Sequence, residues 1–211
     1  MLLANEIVAR KAEDARLPVL YRVHEPPPRD KMLELKSFLT RLGLKTSRGE
    51  LGPKELQTVL RKVQGRPEEG LVSRVMLRAM SRARYGPRNL GHFGLASNHY
   101  THFTSPIRRY PDLWLHRILV LASIQDEPIP KGWGGEELEA KAERCSVRER
   151  MAEAAERESV ALKKVEYMER HLGDEFTGTI AGVTSFGVFV LLDEVFVEGL
   201  VHVNSMMDDY Y

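Results

Sequence analysis

Between Arg84 and Arg117 the chain carries five arginines, four histidines and six aromatic residues against a single acid, Asp112. Most of them fall in His92-Phe-Gly-Leu-Ala-Ser-Asn-His-Tyr-Thr-His-Phe-Thr-Ser-Pro-Ile-Arg-Arg-Tyr-Pro-Asp112, where Arg108 and Arg109 stand side by side just after a proline. Guanidinium forks grip phosphates in bidentate fashion, and aromatic faces accept a stacked base of any identity at about 1–3 kcal/mol per base. That mixture suits a single strand of RNA. Tyr100 is the aromatic expected to touch it, while Phe93 and Phe103 divide between packing and stacking. A serine cap at Ser105 with Pro106 in the first turn predicts a helix over about residues 108–123, whose outward backbone donors attract phosphate. Ser105, Arg108 and Arg109 are therefore candidate phosphate contacts. The competing reading pairs Arg108 with Asp112 at i, i+4, an ordinary surface contact of roughly a few tenths of a kcal/mol. His92, His99 and His102 invite a zinc reading, but nothing sets them on one helix face and no cysteine or acid completes the set, so no metal site is expected.

Several elements must position these groups. Leu2, Ile7 and Val8 with Ala4, Ala12 and Ala15 predict an opening helix with a buried stripe, stopped by Pro18. A short strand over Val19–Val23 precedes His24-Glu-Pro-Pro-Pro, where three prolines exclude regular structure. Asp30 is expected to cap a helix carrying Met32, Leu35, Phe38, Leu39 and Leu42 up to Gly43, and a second helix begins near Pro53 and runs through Leu56, Val59, Leu60 and Val63. After the turn at Gly65-Arg-Pro-Glu-Glu-Gly, a helix over Leu71–Arg84 presents Arg74, Arg78, Arg82 and Arg84, read here as a solvated face rather than an RNA track. A long helix follows from Glu136 to His171, with Leu138, Ala142, Cys145, Ala152, Ala155, Ser159 and Leu162 as a narrow stripe for close packing amid alternating charges. Gly173 ends it. Strands are predicted over Glu175–Thr184, Phe186–Leu192 and Glu198–Val203.

Two stretches, Gly91-His-Phe-Gly-Leu-Ala and His102-Phe-Thr-Ser-Pro-Ile-Arg-Arg-Tyr-Pro-Asp-Leu, resemble the signature of the ribonuclease II/ribonuclease R family, nearer its ribonuclease R branch. The likeness extends upstream through Met1-Leu-Leu-Ala-Asn-Glu and Tyr21-Arg-Val-His-Glu-Pro-Pro-Pro. Downstream it reaches Gly173-Asp-Glu-Phe-Thr-Gly-Thr-Ile, which is similar to the opening of an S1 RNA-binding domain. The resemblance implies an α+β chain: the helix-rich C-terminal part of an RNB catalytic domain over 1–171, then the N-terminal part of an OB-type S1 barrel over 172–211. It implies a processive, magnesium-dependent 3′-to-5′ exoribonuclease that hydrolyses single-stranded RNA to nucleoside 5′-monophosphates. Arg108 would lie beside the scissile phosphate and stabilise charge developing there, and Phe186, Phe189 and His202 would face RNA on the S1 surface.

The same resemblance puts the magnesium-binding aspartates upstream of Met1, so the metal's ligands are expected outside this chain and both ends are expected to be cut. Several convergent carboxylates are needed to hold such an ion. Asp112 alone does not supply them, and Glu6, Glu13 and Asp14 read as solvated acids on a helix face. The alternative is therefore a non-catalytic RNA-binding module, or a purely structural piece.

Composition sets outer limits. The 211 residues exceed the usual span of about 100–200 per domain, which suits one large domain and part of another. With 31 basic and 30 acidic residues the net charge is +1, so the case for RNA rests on local clustering. The single Cys145 excludes an intrachain disulfide partner and agrees with a cytoplasmic location. The longest apolar run, Ile118–Ile124, is far below the 18 or more residues of a membrane helix. The first residues also lack the basic leader and apolar core of a secretion signal.

Overall fold

The computed structural model describes residues 1–46, 49, 51–125 and 127–206. The expected α+β class holds: the chain is rich in helix, with two small antiparallel sheets. It forms two compact units, Met1–Arg150 and Met151–Tyr211, and the division falls within a long helix.

In the first unit, helix α1 (Leu2–Asp14) buries Asn5, Ala9 and Ala12. The expected stripe is thus displaced around the helix, since Leu2 and Ile7 are exposed. Asn5 explains the shift: its side-chain amide donates to the Tyr100 hydroxyl (3.1 Å) and its oxygen accepts from the Phe103 N–H (3.2 Å), fastening the basic segment to α1. Strand β1 (Tyr21–Val23) pairs with β2 (Arg84–Gly86), matching Arg22 with Tyr85. Together with α5 (Tyr110–Leu119) and the first turns of α6 (Gly135–Met168) they enclose one core of Val19, Leu20, Val23, Trp114, Leu115 and Ile118.

A second core lies among α2 (Arg29–Arg41), α3 (Pro53–Val63) and α4 (Glu69–Ala79), built on Leu35, Leu39, Leu56, Val59, Val63 and Val72. Asp30 does not cap α2. Pro28 takes that position, and Asp30 sits in the first turn, where an acid meets the positive end of the helix dipole. Helix α4 stops at Ala79 instead of running to Arg84, because Met80 turns extended and the following residues are drawn into the β1–β2 ladder. Arg84 consequently lies on a strand and pairs with Glu25 at 3.0 Å.

Helix α6 is buried at Leu138, Ala142 and Ser146 only; Ala152, Ala155, Ser159 and Leu162 are exposed. The close packing expected along its whole stripe is confined to the turns that meet β2, where the Ser146 hydroxyl accepts from the Tyr85 N–H (2.9 Å) and donates to the Ala142 carbonyl (3.0 Å). In the second unit, β3 (Gly178–Thr184), β4 (Gly187–Leu192) and β5 (Glu198–His202) form an antiparallel sheet in that order, with an irregularity between Ile180 and Gly182. Residues 207–211 of the expected S1 span lie outside the described residues. No described helix is long and apolar enough to cross a membrane, and Cys145 is a free thiol.

Candidate nucleic-acid interface

The segment that follows β2, from Pro87 to Arg109, is tied to β1 and to the residue after it by isolated bridges, Tyr21 with Thr101 and His24 with His92. Backbone pairing and one short 3-10 turn, Phe93–Leu95 with His92 as its N-cap, therefore fix its histidines and aromatics without an α-helix. His24 donates from Nε2 to the Ser81 carbonyl (2.7 Å) and accepts at Nδ1 from the Gly94 N–H (2.9 Å), a tautomer set by its two partners. The three histidines weighed for zinc go separate ways: His92 accepts from the Leu95 N–H (3.2 Å), His99 meets Glu13 (2.6 Å) and His102 meets the Tyr85 hydroxyl (2.9 Å). Among the described residues no three His, Cys, Asp or Glu side chains converge as a metal-holding group.

Burial raises Tyr85 to about 12, so its hydroxyl stays protonated and donates to His102 Nδ1. The Arg22 guanidinium lies over the Tyr85 ring at 4.8 Å and pairs with Glu149 at 2.5 Å, which carries the network from β1 to α6. Burial, then the charge of Arg109, lowers His102 to about 4, and burial, then His24, lowers His92 to about 4. At neutral pH both rings are uncharged hydrogen-bonding groups.

A pH dependence follows with a definite sign. Between about pH 6.5 and pH 4 the unfolded chain binds protons at His92 and His102 that the folded chain refuses. Their contribution is complete above pH 6.5 and is lost as the pH falls toward 4. After discounting for contact with solvent, the expected loss is on the order of 2 kcal/mol for the pair. Denaturant midpoints over this range should fall less steeply in His102→Asn, whose amide oxygen still accepts from Tyr85. An equally steep fall would refute the assignment.

The motif helix begins later than its sequence suggests. Residues 106–108 form a turn, Arg109 is the N-cap without a side-chain cap bond, and Pro111 rather than Pro106 occupies the first turn of α5. After Leu119 the helix widens into a π-type turn over Val120–Gln125. Ser105 is thus not a helix cap; its N–H donates to Asp112 Oδ1 at 2.7 Å. Asp112 pairs with Arg109 (2.8 Å) and not with Arg108, because the later helix start puts Arg109 one turn from it at i, i+3. Arg108 and Ile107 are exposed on the turn, and Arg108 has no ion pair among the described residues. Tyr100 is 6 % exposed, its ring edge-on to those of His92 and His102. That placement makes it part of the floor of the segment.

In the second unit Phe186 and Phe189 stand edge to face with centroids 6.2 Å apart. Gly187 pairs with His202 across β4 and β5, and the Val203 N–H donates to the Phe186 carbonyl (3.0 Å), so the two aromatics and His202 occupy one end of that sheet. Phe186 and His202 are exposed and Phe189 is half-buried.

The RNB domain family model matches residues 1–124, more than half of the chain. The chain belongs to the RNB family. An S1 RNA binding domain model matches residues 170–211. Ribonuclease R of Aquifex aeolicus is 49% identical over the whole of this RNB chain, which spans 30% of that relative's length. Ribonuclease R of Mycoplasma genitalium, solved in complex with ribose methylated single-stranded RNA, superposes with a TM-score of 0.89 at 30% identity, covering 99% of this chain and 33% of that one. Yeast Ssd1, described as a pseudonuclease, superposes with a TM-score of 0.77 at 26% identity, covering 95% of this chain and 25% of that one.

The sequence reading missed the Tyr85–His102 bond, the Arg22–Glu149 pair and the burial of Asp112. A lone acid amid five arginines was the available sign of the last.

Proposed function

We propose that this chain supplies the arginine-bearing part of a ribonuclease R-type 3′-to-5′ exoribonuclease acting on single-stranded RNA and releasing nucleoside 5′-monophosphates. The observation that carries this reading is an exposed Arg108, without an ion pair among the described residues, on a turn anchored in buried structure, within a chain 49% identical to a ribonuclease R. Arg108 neutralises charge on the phosphoryl group under attack. Ser105 and Arg109 shape the turn that offers it, Tyr100 supports the segment from below, and in the second unit Phe186, Phe189 and His202 stack and bond bases.

Magnesium belongs to this reading, but the described residues do not fit it, since no group of carboxylates converges. Its ligands are assigned to aspartates outside this chain, and no step is derived through the ion. The enzyme is assigned to the cytoplasm.

The same lack of an acidic cluster among the described residues favours a second reading, an RNA-binding module without chemistry. The purified 211-residue chain, incubated with magnesium and single-stranded RNA labelled at its 3′ or 5′ end, is expected to leave the RNA intact while binding it with salt-sensitive affinity. Shortening from the 3′ end would place the metal's acids inside this chain and overturn the assignment. Joining the chain to the amino-terminal portion of a ribonuclease R separates the two readings: restored shortening supports the enzyme, and binding without cleavage supports the module.

A further inference from the structure

We propose that Asp112 is a positioning residue that holds the Ser105–Arg109 turn and so keeps Arg108 in its protruding place. The inference rests for its functional meaning on the reading of Arg108 given above. Asp112 is 0 % exposed. A carboxylate so far from water is costly unless hydrogen-bonded, and here a single oxygen, Oδ1, accepts from both the Ser105 N–H (2.7 Å) and Arg109 Nη2 (2.8 Å). Those two donors stand at opposite ends of the turn. The Ser105 carbonyl closes it again by accepting from the Arg108 N–H (3.3 Å) and the Arg109 N–H (3.1 Å).

Beyond these bonds, side-chain packing among the described residues does not fix the tip. Ile107 is 103 % exposed and the Arg108 side chain is exposed too, so packing does not hold either residue. The pair is also an incomplete one: Asp112 Oδ2 and Arg109 Nε are buried without a hydrogen-bond partner among the described residues. An ion pair that leaves two polar atoms unsatisfied contributes little net stability, whereas its shared oxygen defines the geometry of five residues. The turn that carries the tip is therefore anchored, beside its own backbone bonds, by one buried carboxylate seven residues from the amide it holds.

Backbone-assigned magnetic resonance on the full 211-residue chain tests this, with Asp112→Ala and Asp112→Asn beside the natural sequence. In the natural chain the Ser105 amide should exchange at least about 100-fold more slowly than an open amide, with Ile107 and Arg108 as ordered as α5. Asp112→Ala should abolish that protection and loosen residues 105–109 while β1, β2 and the rest of α5 keep theirs. Asp112→Asn should restore most of it, because its amide oxygen still accepts from Ser105. Unchanged residues 105–109 in Asp112→Ala, or an equal loss throughout the first unit, would overturn the proposal. Should the alanine variant fail to fold, rapid exchange of the Ser105 amide in the natural chain would do so alone. Inorganic phosphate titrated into the same samples keeps the two readings apart: a shift at Arg108 is expected in the natural and Asn chains and not in the Ala chain. Absence of the shift in a natural chain with a protected Ser105 amide would refute the anion-facing role of Arg108 and leave the clamp standing.

Discussion

Arg108→Ala is expected to lower turnover of single-stranded RNA by about 100- to 1000-fold while changing KM by less than about threefold, in an enzyme joining this chain to the amino-terminal portion of a ribonuclease R. The asymmetry follows from where the residue sits. An exposed guanidinium is well screened by solvent, so its contact with the resting phosphodiester is weak. As the phosphoryl group takes on charge, a fork already in place strengthens its contact without reorganising. Arg108→Lys should recover only part of the rate, because an ammonium keeps the charge and loses the planar fork. Single-turnover kinetics would separate the effects. A loss carried wholly by KM would mean that Arg108 binds RNA and does nothing for the chemical step.

Gly187→Ala should open the β4–β5 pair and cost about 3 kcal/mol or more. Gly187 has φ +157°, and a Cβ there would lie 2.3 Å from the Val201 carbonyl oxygen and 3.0 Å from the His202 Cα. Both are backbone atoms of the neighbouring strand, so no side chain can swing aside. Since Gly187 is the register partner of His202 and follows Phe186, the change should separate the residues proposed to hold RNA in this unit. Amide protection across β4 and β5 should collapse while α5 keeps its own, and RNA affinity should fall about tenfold with loss of the stacking positions. Intact protection in β4 would show that the sheet accommodates the methyl group and that the close approach is not essential.

These predictions differ in how far the sequence announces them. Arg108 and the aromatic and histidine triplet of the S1 segment follow from short motifs whose meaning is local. Gly187 falls inside a predicted strand, and only the approach of the β5 backbone shows why that position has no side chain. Asp112 is different. Spacings of i, i+3 and i, i+4 serve equally well on a helix, and only the actual start of α5 at Tyr110 decides that Arg109 takes the carboxylate.

Local chemistry thus settled the helix-rich class, the proline break after His24, the helix starting at Pro53, the three strands at the C-terminal end and the concentration of basic and aromatic groups between Arg84 and Arg117. Each depends on neighbours in the chain: a periodic apolar face, a fixed φ, an alternating run. Tertiary pairing alone decided the rest. The β1–β2 ladder ended α4 five residues early, the bonds of Asn5 rotated the buried face of α1 toward Tyr100, and the start of α5 at Tyr110 gave the fully buried carboxylate to Arg109 and shaped the turn beneath Arg108. The physical reason is clearest at Asn5. A buried polar group must find its partner wherever the fold supplies one, and those partners lie 95 and 98 residues from Asn5 in the chain, beyond the reach of any pattern read along it.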